Sequence, residues 1–260
     1  ILLKGFKRLG ANVDTYIPDR VADGYGIHDH LIKKAMEDGI DTIVTCDNGI
    51  SASSQITYAK ELGMTVVVTD HHEVPFTDTE EGRTYILPPA DAIINPKQAD
   101  CTYPNKNICG AVVAMKLVFA LYEKYRLPEE EKEDFLEPAA IATVVKEGLA
   151  RLPFTKNKGL KALIRAIGLE DQKITSYDIG FRLGPCINAS GRLDTAMRSL
   201  ALLQSEDEEE AAKLAGDLKA LNDSRKEMTE RGVEEAVQMI ESTSLKGDHV
   251  LVVYLPDCHE

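Results

Sequence analysis

The stretch Thr65–Glu73, Thr-Val-Val-Val-Thr-Asp-His-His-Glu, predicts both the fold and a candidate site. Its first five residues are β-branched, and Val66, Val67 and Val68 do not alternate with polar residues. A strand without alternation is buried on both faces, as in a parallel sheet. Because desolvated polar groups are costly unless they are paired or bind a metal, Asp-His-His directly after such a strand indicates a site. The alternative is a solvent-exposed turn that contains two histidines.

The composition is that of an ordinary globular protein. The 260 residues suffice for one large domain or two smaller ones, and 43% of them are hydrophobic. No apolar run approaches the ~20 residues of a membrane span, and no signal-peptide pattern is recognised. The five cysteines are scattered and odd in number, which fits a reducing compartment better than a disulfide framework. We therefore expect a cytoplasmic protein without a membrane partner.

The net charge of -13 argues at first sight against a nucleic-acid partner. The excess is concentrated, however, because residues 201–242 carry twelve acids against five basic residues. The remaining surface is closer to neutral. The total charge therefore does not exclude a polyanionic substrate, particularly where metal ions supply positive charge.

Strand and helix patterns alternate over the first part of the chain. We predict strands at 13–17, 41–46, 65–69 and 91–94, and helices at 28–37 and 51–62. Such alternation is typical of right-handed βαβ units. The fold class is therefore α/β, a parallel sheet flanked by helices.

From Gly110 onward the pattern becomes helical. We predict helices at 111–125, 131–145, 157–167 and 195–203, with a loop rich in small residues at 181–193. Residues 206–241 predict one long helix with a narrow apolar stripe, which is typical of a helix that bridges two domains. Residues 250–254 predict the first strand of a further domain.

Two consecutive predicted strands end in acids, at Asp47 and at Asp70. Neighbouring strands lie ~4.8 Å apart, so Asp47 and His71 are expected at the same carboxyl edge of the sheet. Open α/β sheets bind ligands at that edge. Carboxylate and imidazole without thiolate suit Mn²⁺, Mg²⁺ or Zn²⁺. The alternative for Asp47 is an Asx turn that caps a helix.

A second candidate site is Asn188-Ala189-Ser190-Gly191-Arg192, which could hold a phosphate. The Ser190 hydroxyl and the nearby amides can donate hydrogen bonds, and Arg192 can bind bidentately. The alternative is a tight loop with a solvated arginine. Gly24-Tyr25-Gly26 favours a turn with an anchoring tyrosine over a base-stacking platform. The sequence contains no Walker loop, dinucleotide fingerprint or serine-nucleophile motif.

The motifs together resemble a known family. Thr69-Asp70-His71-His72 resembles the signature of the DHH phosphoesterases, and Thr45-Cys46-Asp47-Asn48-Gly49 resembles their second acidic motif. Residues 109–113 (Cys-Gly-Ala-Val-Val) and 184–192 (Gly-Pro-Cys-Ile-Asn-Ala-Ser-Gly-Arg) are similar to later motifs of one branch, the RecJ-type single-strand-specific exonucleases. The segment from Arg20 to Gly26 also fits that branch. The phosphodiesterase and pyrophosphatase branches lack the long element at 184–192.

This resemblance implies a phosphodiester hydrolase that removes nucleotides from the 5′ end of single-stranded DNA in repair and recombination. Two Mn²⁺ or Mg²⁺ ions activate the attacking water and stabilise the developing charge. The implied partners are single-stranded DNA and DNA-repair proteins, and the implied form is a cytoplasmic monomer.

The resemblance also assigns roles to residues. Asp70, His71 and His72 form the catalytic set, in which His71 and Asp47 bind metal and His72 faces the scissile phosphate. Asp70 is a further ligand or orients an imidazole. The positions implied to bind DNA and its phosphates are Asn188, Ser190, Gly191, Arg192, Arg20 and Tyr25.

The sequence departs from the family pattern in two places. The family's Asp-x-Asp-x-Asp-Gly cluster belongs before the first helix, and so before Ile1. Its metal-binding Asp in a Gly-Asp-Val-like segment is missing near Val144–Val145, where a stretch is either deleted or left out. We therefore expect a fragment truncated at both ends, with weak metal binding and impaired or absent activity.

The resemblance divides the chain into three parts. These are a DHH catalytic domain at 1–204 that lacks its N-terminal strand and first Asp motif, an interdomain helix at 205–243, and the start of a truncated, DHHA1-like domain at 244–260. Two other functions stay open. One is a catalytically dead scaffold that binds nucleic acid or protein, and the other is a phosphodiesterase for short oligonucleotides.

Overall fold

A computed structural model of the chain describes residues 1–19, 22–80, 82–142, 146–193, 195–242 and 250–255. The chain divides into two compact units, Ile1–Leu152 and Pro153–Glu260. This division falls inside the sequence range 1–204, and the three-part division of the chain stays a prediction. No helix in the described ranges is both long enough and apolar enough to cross a membrane.

The first unit is built on a three-stranded parallel sheet. Its strands are β1 (Thr42–Val44), β2 (Thr65–Thr69) and β5 (Ala92–Ile94), in the order β1-β2-β5. The central strand β2 has Val66 and Val68 fully buried. These two side chains share one face of the strand, and Val67 on the other face is half-buried. The parallel pairing of the three strands and the helices packed on them confirm the α/β class, a parallel sheet flanked by helices.

The helices of the first unit cover the sheet and a second apolar cluster. They are α1 (Leu2–Arg8), α2 (Asp29–Glu37), α3 (Ser53–Glu61), α4 (Gly110–Lys124), α5 (Leu136–Ala142) and α6 (Lys146–Arg151), with 3₁₀ turns at Glu129–Phe135 and Leu152–Phe154. Ile32 of α2 and Ile56 of α3 pack in one core cluster with Val66 and Val68. The apolar face of α4 packs against Phe135 in another cluster.

Glycines end the two helices that flank β1. Gly39 follows α2 and Gly63 follows α3, each with φ of 79°. In the residue after a helix, this left-handed conformation satisfies the last carbonyls, and glycine adopts it without steric cost. The chain then turns directly from α2 into β1 and from α3 into β2. Each connection from helix to strand is therefore short.

Two predicted strands are wrong. Residues 13–17 are neither helix nor strand, and they pair with no strand in the described part of the chain. Residues 250–255 likewise contain no strand, and Val252 is almost fully exposed. A strand needs a partner for its backbone groups, and alternation alone does not supply one.

The structure also contains a hairpin that sequence reasoning missed. Strands β3 (Phe76–Thr79) and β4 (Gly82–Tyr85) pair antiparallel, with Phe76 opposite Tyr85. Every residue of both strands is exposed. The hairpin therefore shows no alternation of apolar and polar residues that would predict a half-buried strand.

The second unit is helical. It contains α7 (Lys158–Ala166), α8 (Ser176–Asp178), a π-helical turn (Ile179–Leu183), α9 (Gly184–Leu193), α10 (Met197–Gln204) and α11 (Glu208–Glu241). The long helix α11 packs against α7, α9 and α10. Its buried positions Ala211, Ala215 and Leu218 recur at helical spacing, which confirms the predicted long helix and the first half of its stripe. The second half of the predicted stripe is wrong, because Val233 and Val237 are exposed. Asp207 caps its first turn by accepting from the amide of Glu210 at 2.7 Å.

The predicted loop at 181–193 is instead helical. The π-helical turn runs directly into α9, whose second residue is Pro185, a position where proline is tolerated. Cys186, Ala189 and Ser190 recur at i, i+3 and i+4 and are all buried on a helix that packs against α10 and α11. The small residues therefore allow helices to approach closely. Their composition resembles that of a loop, which is why the prediction was wrong.

We expect Gly159→Ala to destabilise the protein by about 2 kcal/mol or more. A Cβ at position 159 would overlap the carbonyl oxygen of Leu202 and lie 2.5 Å from its carbonyl carbon, so the backbone of α10 would have to move. The matched control is Gly216→Ala in α11, where an added Cβ meets no atom within 4 Å. That control should gain about 0.5–1 kcal/mol. Urea unfolding followed by circular dichroism measures both, and equal free energies for the two variants would contradict the close approach of α7 and α10.

Candidate metal centre

Asp47 is positioned by the turn that follows β1. The strand pairing with β2 continues beyond β1 through the Asp47 amide, which donates to Thr69 O at 3.0 Å. The Thr45 hydroxyl donates to Asn48 O at 2.7 Å and closes the turn. Asp47 itself has φ of 64°, a left-handed conformation that Asp tolerates better than most residues. The carboxylate is thereby fixed at the carboxyl edge of the sheet.

Asp70, at the end of β2, is a buried carboxylate with all its hydrogen bonds directed at N–H groups. Its side chain is 1% exposed. Oδ2 accepts from the Ile50 amide at 3.0 Å, and Oδ1 accepts from the His71 amide at 2.7 Å. Oδ1 also lies 2.6 Å from His72 Nδ1. Burial raises the pKa of Asp70, but the Ile50 amide and the His72 ring outweigh it, so the pKa lies below its ordinary value.

His71 and His72 bring two imidazoles to the same edge. His71 Nε2 lies 2.9 Å from Asp47 Oδ1, and the two imidazole rings are 4.6 Å apart between centroids. One potential ligand atom from each of Asp47, His71 and His72 lies within 4.8 Å of the others. Asp47 is 57% exposed at its side chain, so this cluster opens to solvent. The adjacency of β1 and β2 produces the juxtaposition that the sequence predicts for Asp47 and His71.

Gly110 makes room for Asp47 at the start of α4. A Cβ at position 110 would overlap Asp47 Oδ1 and lie 2.7 Å from its Cγ. The N-terminus of α4 therefore lies directly against the carboxylate. Sequence reasoning quoted Cys109-Gly110 as part of a motif but assigned Gly110 no role.

Asn95 is another residue of the site that sequence reasoning missed. It follows β5, is almost fully buried, and its Nδ2 donates to His72 O at 3.0 Å. Its Oδ1 accepts from the Lys97 amide at 2.8 Å. A polar residue directly after the third strand of the sheet, before Pro96, is the signal that could have found it. The side-chain amide of Asn95 thereby fixes the backbone of His72, the second histidine of the site.

The donor set fits a divalent ion. One carboxylate and two imidazoles suit Mn²⁺ or Zn²⁺, and the carboxylate also suits Mg²⁺. Within the described ranges this is the one cluster of three or more His, Cys, Asp or Glu side chains close enough to share an ion. Asp70 lies outside that cluster, and its hydrogen bonds orient His72. A carboxylate that fixes an imidazole in this way sets which ring nitrogen can face a ligand.

The predicted DNA-binding positions lie elsewhere in the chain. Asn188, Ser190 and Gly191 are on α9 of the second unit. Ser190 is fully buried, and its Oγ lies 2.7 Å from Ser199 Oγ. Tyr25 is 78% exposed. Arg20 and the side chain of Arg192 lie outside the described residues, as does the junction at Val144–Val145.

A comparison with protein families matches residues 1–144 to the DHH family, N-terminal domain. The chain belongs to the DHH family. The resemblance carried by Thr69-Asp70-His71-His72 is thereby confirmed, and the matched range of this DHH chain contains the whole cluster of Asp47, His71 and His72.

Two curated relatives of this DHH chain carry the same name. It is 37% identical to the single-stranded-DNA-specific exonuclease RecJ of Bacillus subtilis (strain 168), over 97% of this chain and 32% of the relative. It is 35% identical to the protein of the same name from Escherichia coli (strain K12), over 96% of this chain and 46% of the relative. The chain thus spans between a third and a half of the length of these relatives.

Solved structures show the same fold. An exonuclease RecJ bound to manganese superposes with a TM-score of 0.78 at 32% identity, covering 92% of this chain and 61% of that chain. RecJ from Thermus thermophilus in complex with Mn²⁺ superposes with a TM-score of 0.73 at 30% identity, covering 93% of this chain and 35% of that chain.

We expect Asp70→Asn to cost about 1–3 kcal/mol of unfolding free energy, because an amide NH₂ would then face N–H donors in a buried site. The matched control is Asp78→Asn on the exposed β3 strand, which should change stability by no more than ~0.5 kcal/mol. Urea unfolding at neutral pH compares the two variants. If Asp70→Asn unfolds like the control, the Asp70 carboxylate is not the anchor of this edge.

Proposed function

We propose that this chain carries part of the catalytic centre of a metal-dependent phosphodiester hydrolase. The activity is 5′→3′ removal of nucleotides from single-stranded DNA, and it serves DNA repair and recombination in the cytoplasm. The observation that supports this proposal is the meeting of Asp47, His71 and His72 at one sheet edge. That edge belongs to a DHH-family chain whose relatives are named single-stranded-DNA-specific exonucleases.

We assign some residues of the site to binding the ion and others to positioning the phosphate. Asp47 and His71 would hold Mn²⁺ or Mg²⁺. His72 Nδ1 lies against Asp70, so Nε2 is the ring nitrogen available to the ion or, when the ring is protonated, to a phosphate oxygen. Asp70 therefore acts on the reaction through His72. When bound, the ion supplies positive charge that stabilises the phosphate as it reacts.

The proposed activity of this chain by itself is low. Two octahedral ions offer about twelve coordination positions, and the described cluster supplies three side chains. Water would have to fill most of the remaining positions, which weakens binding and leaves the ions loosely placed. We therefore expect weak Mn²⁺ affinity and slow turnover compared with a RecJ relative.

The proposed contacts with DNA use the remaining sequence-predicted positions. Tyr25 is exposed in the first unit, and Asn188 and Gly191 are on α9. Arg20 and Arg192 are two further proposed contacts, because their positive charges can pair with DNA phosphates. The hydroxyl of Ser190 bonds to Ser199, so its described contact is a helix–helix hydrogen bond.

We expect Gly110→Ala to weaken Mn²⁺ binding about tenfold, a loss of the size seen when the support of a metal ligand is removed. The added Cβ overlaps Asp47 Oδ1 and forces the carboxylate away from His71. Gly216→Ala is the control for a helical Gly→Ala change and should bind Mn²⁺ like the unmodified chain. Titration by Mn²⁺ electron paramagnetic resonance measures the affinity without any need for turnover. Unchanged affinity in Gly110→Ala, together with lost affinity in His71→Ala, would show that Asp47 does not bind the ion.

The function is tested with 5′-phosphorylated single-stranded DNA and Mn²⁺. We expect slow release of nucleotides that is lost on chelation, lost in His71→Ala, and retained in His30→Ala, whose imidazole contacts Asp23 instead. The same strand in a duplex should be cut at least tenfold more slowly. The RecJ of Bacillus subtilis is the positive control for the assay.

Two outcomes of that assay would contradict the proposal. Faster cleavage of dinucleotides than of long strands would indicate a short-oligonucleotide phosphodiesterase. Tight binding of single strands without release of nucleotides at any Mn²⁺ or Mg²⁺ concentration would indicate a binding scaffold.

A further inference from the structure

The β3–β4 hairpin follows the candidate metal centre directly along the chain. Phe76, the first residue of β3, comes four residues after His72. Between them Val74 is buried, and the Ile86 amide donates to Pro75 O at 2.7 Å. These contacts anchor the base of the hairpin beside the carboxyl edge of the sheet, while both strands stay exposed.

The two faces of the hairpin differ in chemistry. Side chains alternate across a strand, so the cross-strand pairs Phe76–Tyr85 and Asp78–Arg83 share one face. The rings of Phe76 and Tyr85 meet edge to face at 6.2 Å, and Arg83 Cζ lies 3.7 Å from the Phe76 centroid. We call Phe76, Arg83 and Tyr85 the aromatic face. The opposite, threonine face consists of Thr77, Thr79 and Thr84.

Core packing does not account for the aromatic face. Phe76 is 42% exposed and Tyr85 is 44% exposed. The next two residues, Ile86 and Leu87, are also exposed, so the apolar surface extends along the chain. A two-stranded hairpin is at best marginally stable by itself, and the contact between the two rings helps to stabilise it. Both residues nevertheless remain exposed after making that contact. Contiguous exposed apolar surface of this kind marks an interaction site.

The position of this face limits its ligand. Four residues span at most ~14 Å between Cα atoms, so the backbone of Phe76 lies within a few nucleotides' length of His72. A strand whose phosphodiester lies at the candidate metal centre therefore carries bases within reach of the hairpin. Aromatic rings and guanidinium groups stack on unpaired bases of any sequence. The bases of a duplex are stacked on one another and cannot be bound in this way.

We propose that the aromatic face of the β3–β4 hairpin stacks the bases of a single DNA strand whose phosphodiester lies at the candidate metal centre. This inference rests on the proposed function and adds to it a base-binding surface that selects single strands. Arg83 is paired with Asp78 at 3.4 Å, so its charge is largely balanced. The hairpin therefore contributes by stacking, and its contribution should not depend on salt.

The chain contains no tryptophan, which allows a direct optical test. Phe76→Trp introduces a single tryptophan into the aromatic face. Titration with an oligo(dT) of about twelve nucleotides, a length that fits known single-strand sites, should quench its fluorescence through stacking. Thr77→Trp on the threonine face is the matched control and should keep its fluorescence. Equal responses of the two tryptophans would overturn the proposal.

Affinity gives the second measurement. Fluorescence anisotropy with a labelled oligo(dT) of non-hydrolysable linkages, so that Mn²⁺ can be present without cleavage, should show about tenfold weaker binding by Phe76→Ala/Tyr85→Ala. Thr77→Ala/Thr84→Ala should bind like the unmodified chain. The ratio between the two double variants should be the same at about 50 mM and about 200 mM salt, because stacking releases no counterions. Equal affinity of both double variants, or a ratio that disappears at the higher salt, would overturn the stacking role.

Failure of this inference can be told from failure of the proposed function. If Mn²⁺-dependent release from single strands persists while the aromatic-face variants bind and cut like the unmodified chain, the hairpin proposal is wrong and the function stands. If the tryptophan is quenched but no nucleotide is released, the function is wrong and the hairpin still binds bases. If the aromatic-face variants change only self-association in the ultracentrifuge, the face is an interface between copies and the proposal fails.

Discussion

The buried carboxylate of Asp70 is the group on which the rest of the site depends. It joins the turn after β1, through the Ile50 amide, to the turn after β2, through the His71 amide, and it fixes the ring of His72. Burying an anion costs several kcal/mol unless its lone pairs are satisfied. Here N–H groups satisfy both oxygens. Because breaking these hydrogen bonds would leave a buried anion unpaired, they hold the two turns in one arrangement.

The sequence was sufficient to place Asp47 beside His71, because one helix joins the consecutive strands β1 and β2 and parallel neighbours share a carboxyl edge. It could not predict how the carboxylate of Asp47 is held there. That depends on the left-handed backbone at Asp47 and on the approach of Gly110 from α4. Gly110 is more than sixty residues away along the chain, and local pattern contains no information about such a contact.

The wrong predictions have one physical origin, which is that local composition does not reveal a partner. Residues 13–17 have strand-like composition but no partner strand in the described residues. The stretch 181–193 has loop-like composition, yet its small residues are buried on α9 where helices pack closely. The β3–β4 hairpin was missed for the opposite reason, because it has a partner strand and no buried face. In each case the structure depends on contacts that local composition does not encode.

Asp47 and Asp70 follow adjacent strands, and their surroundings give them different chemistry. Asp70 is saturated by N–H donors, so binding a metal would require it to give up bonds that hold the fold. Asp47 has a solvent-exposed carboxylate, and its Oδ1 lies 2.9 Å from His71 Nε2, so the two groups can face one ion. A metal ligand must present a deprotonated nitrogen, so His71 would bind an ion as the neutral imidazole beside the Asp47 carboxylate. The buried acid is thus suited to positioning and the exposed acid to coordination, a division that follows from burial and not from residue type.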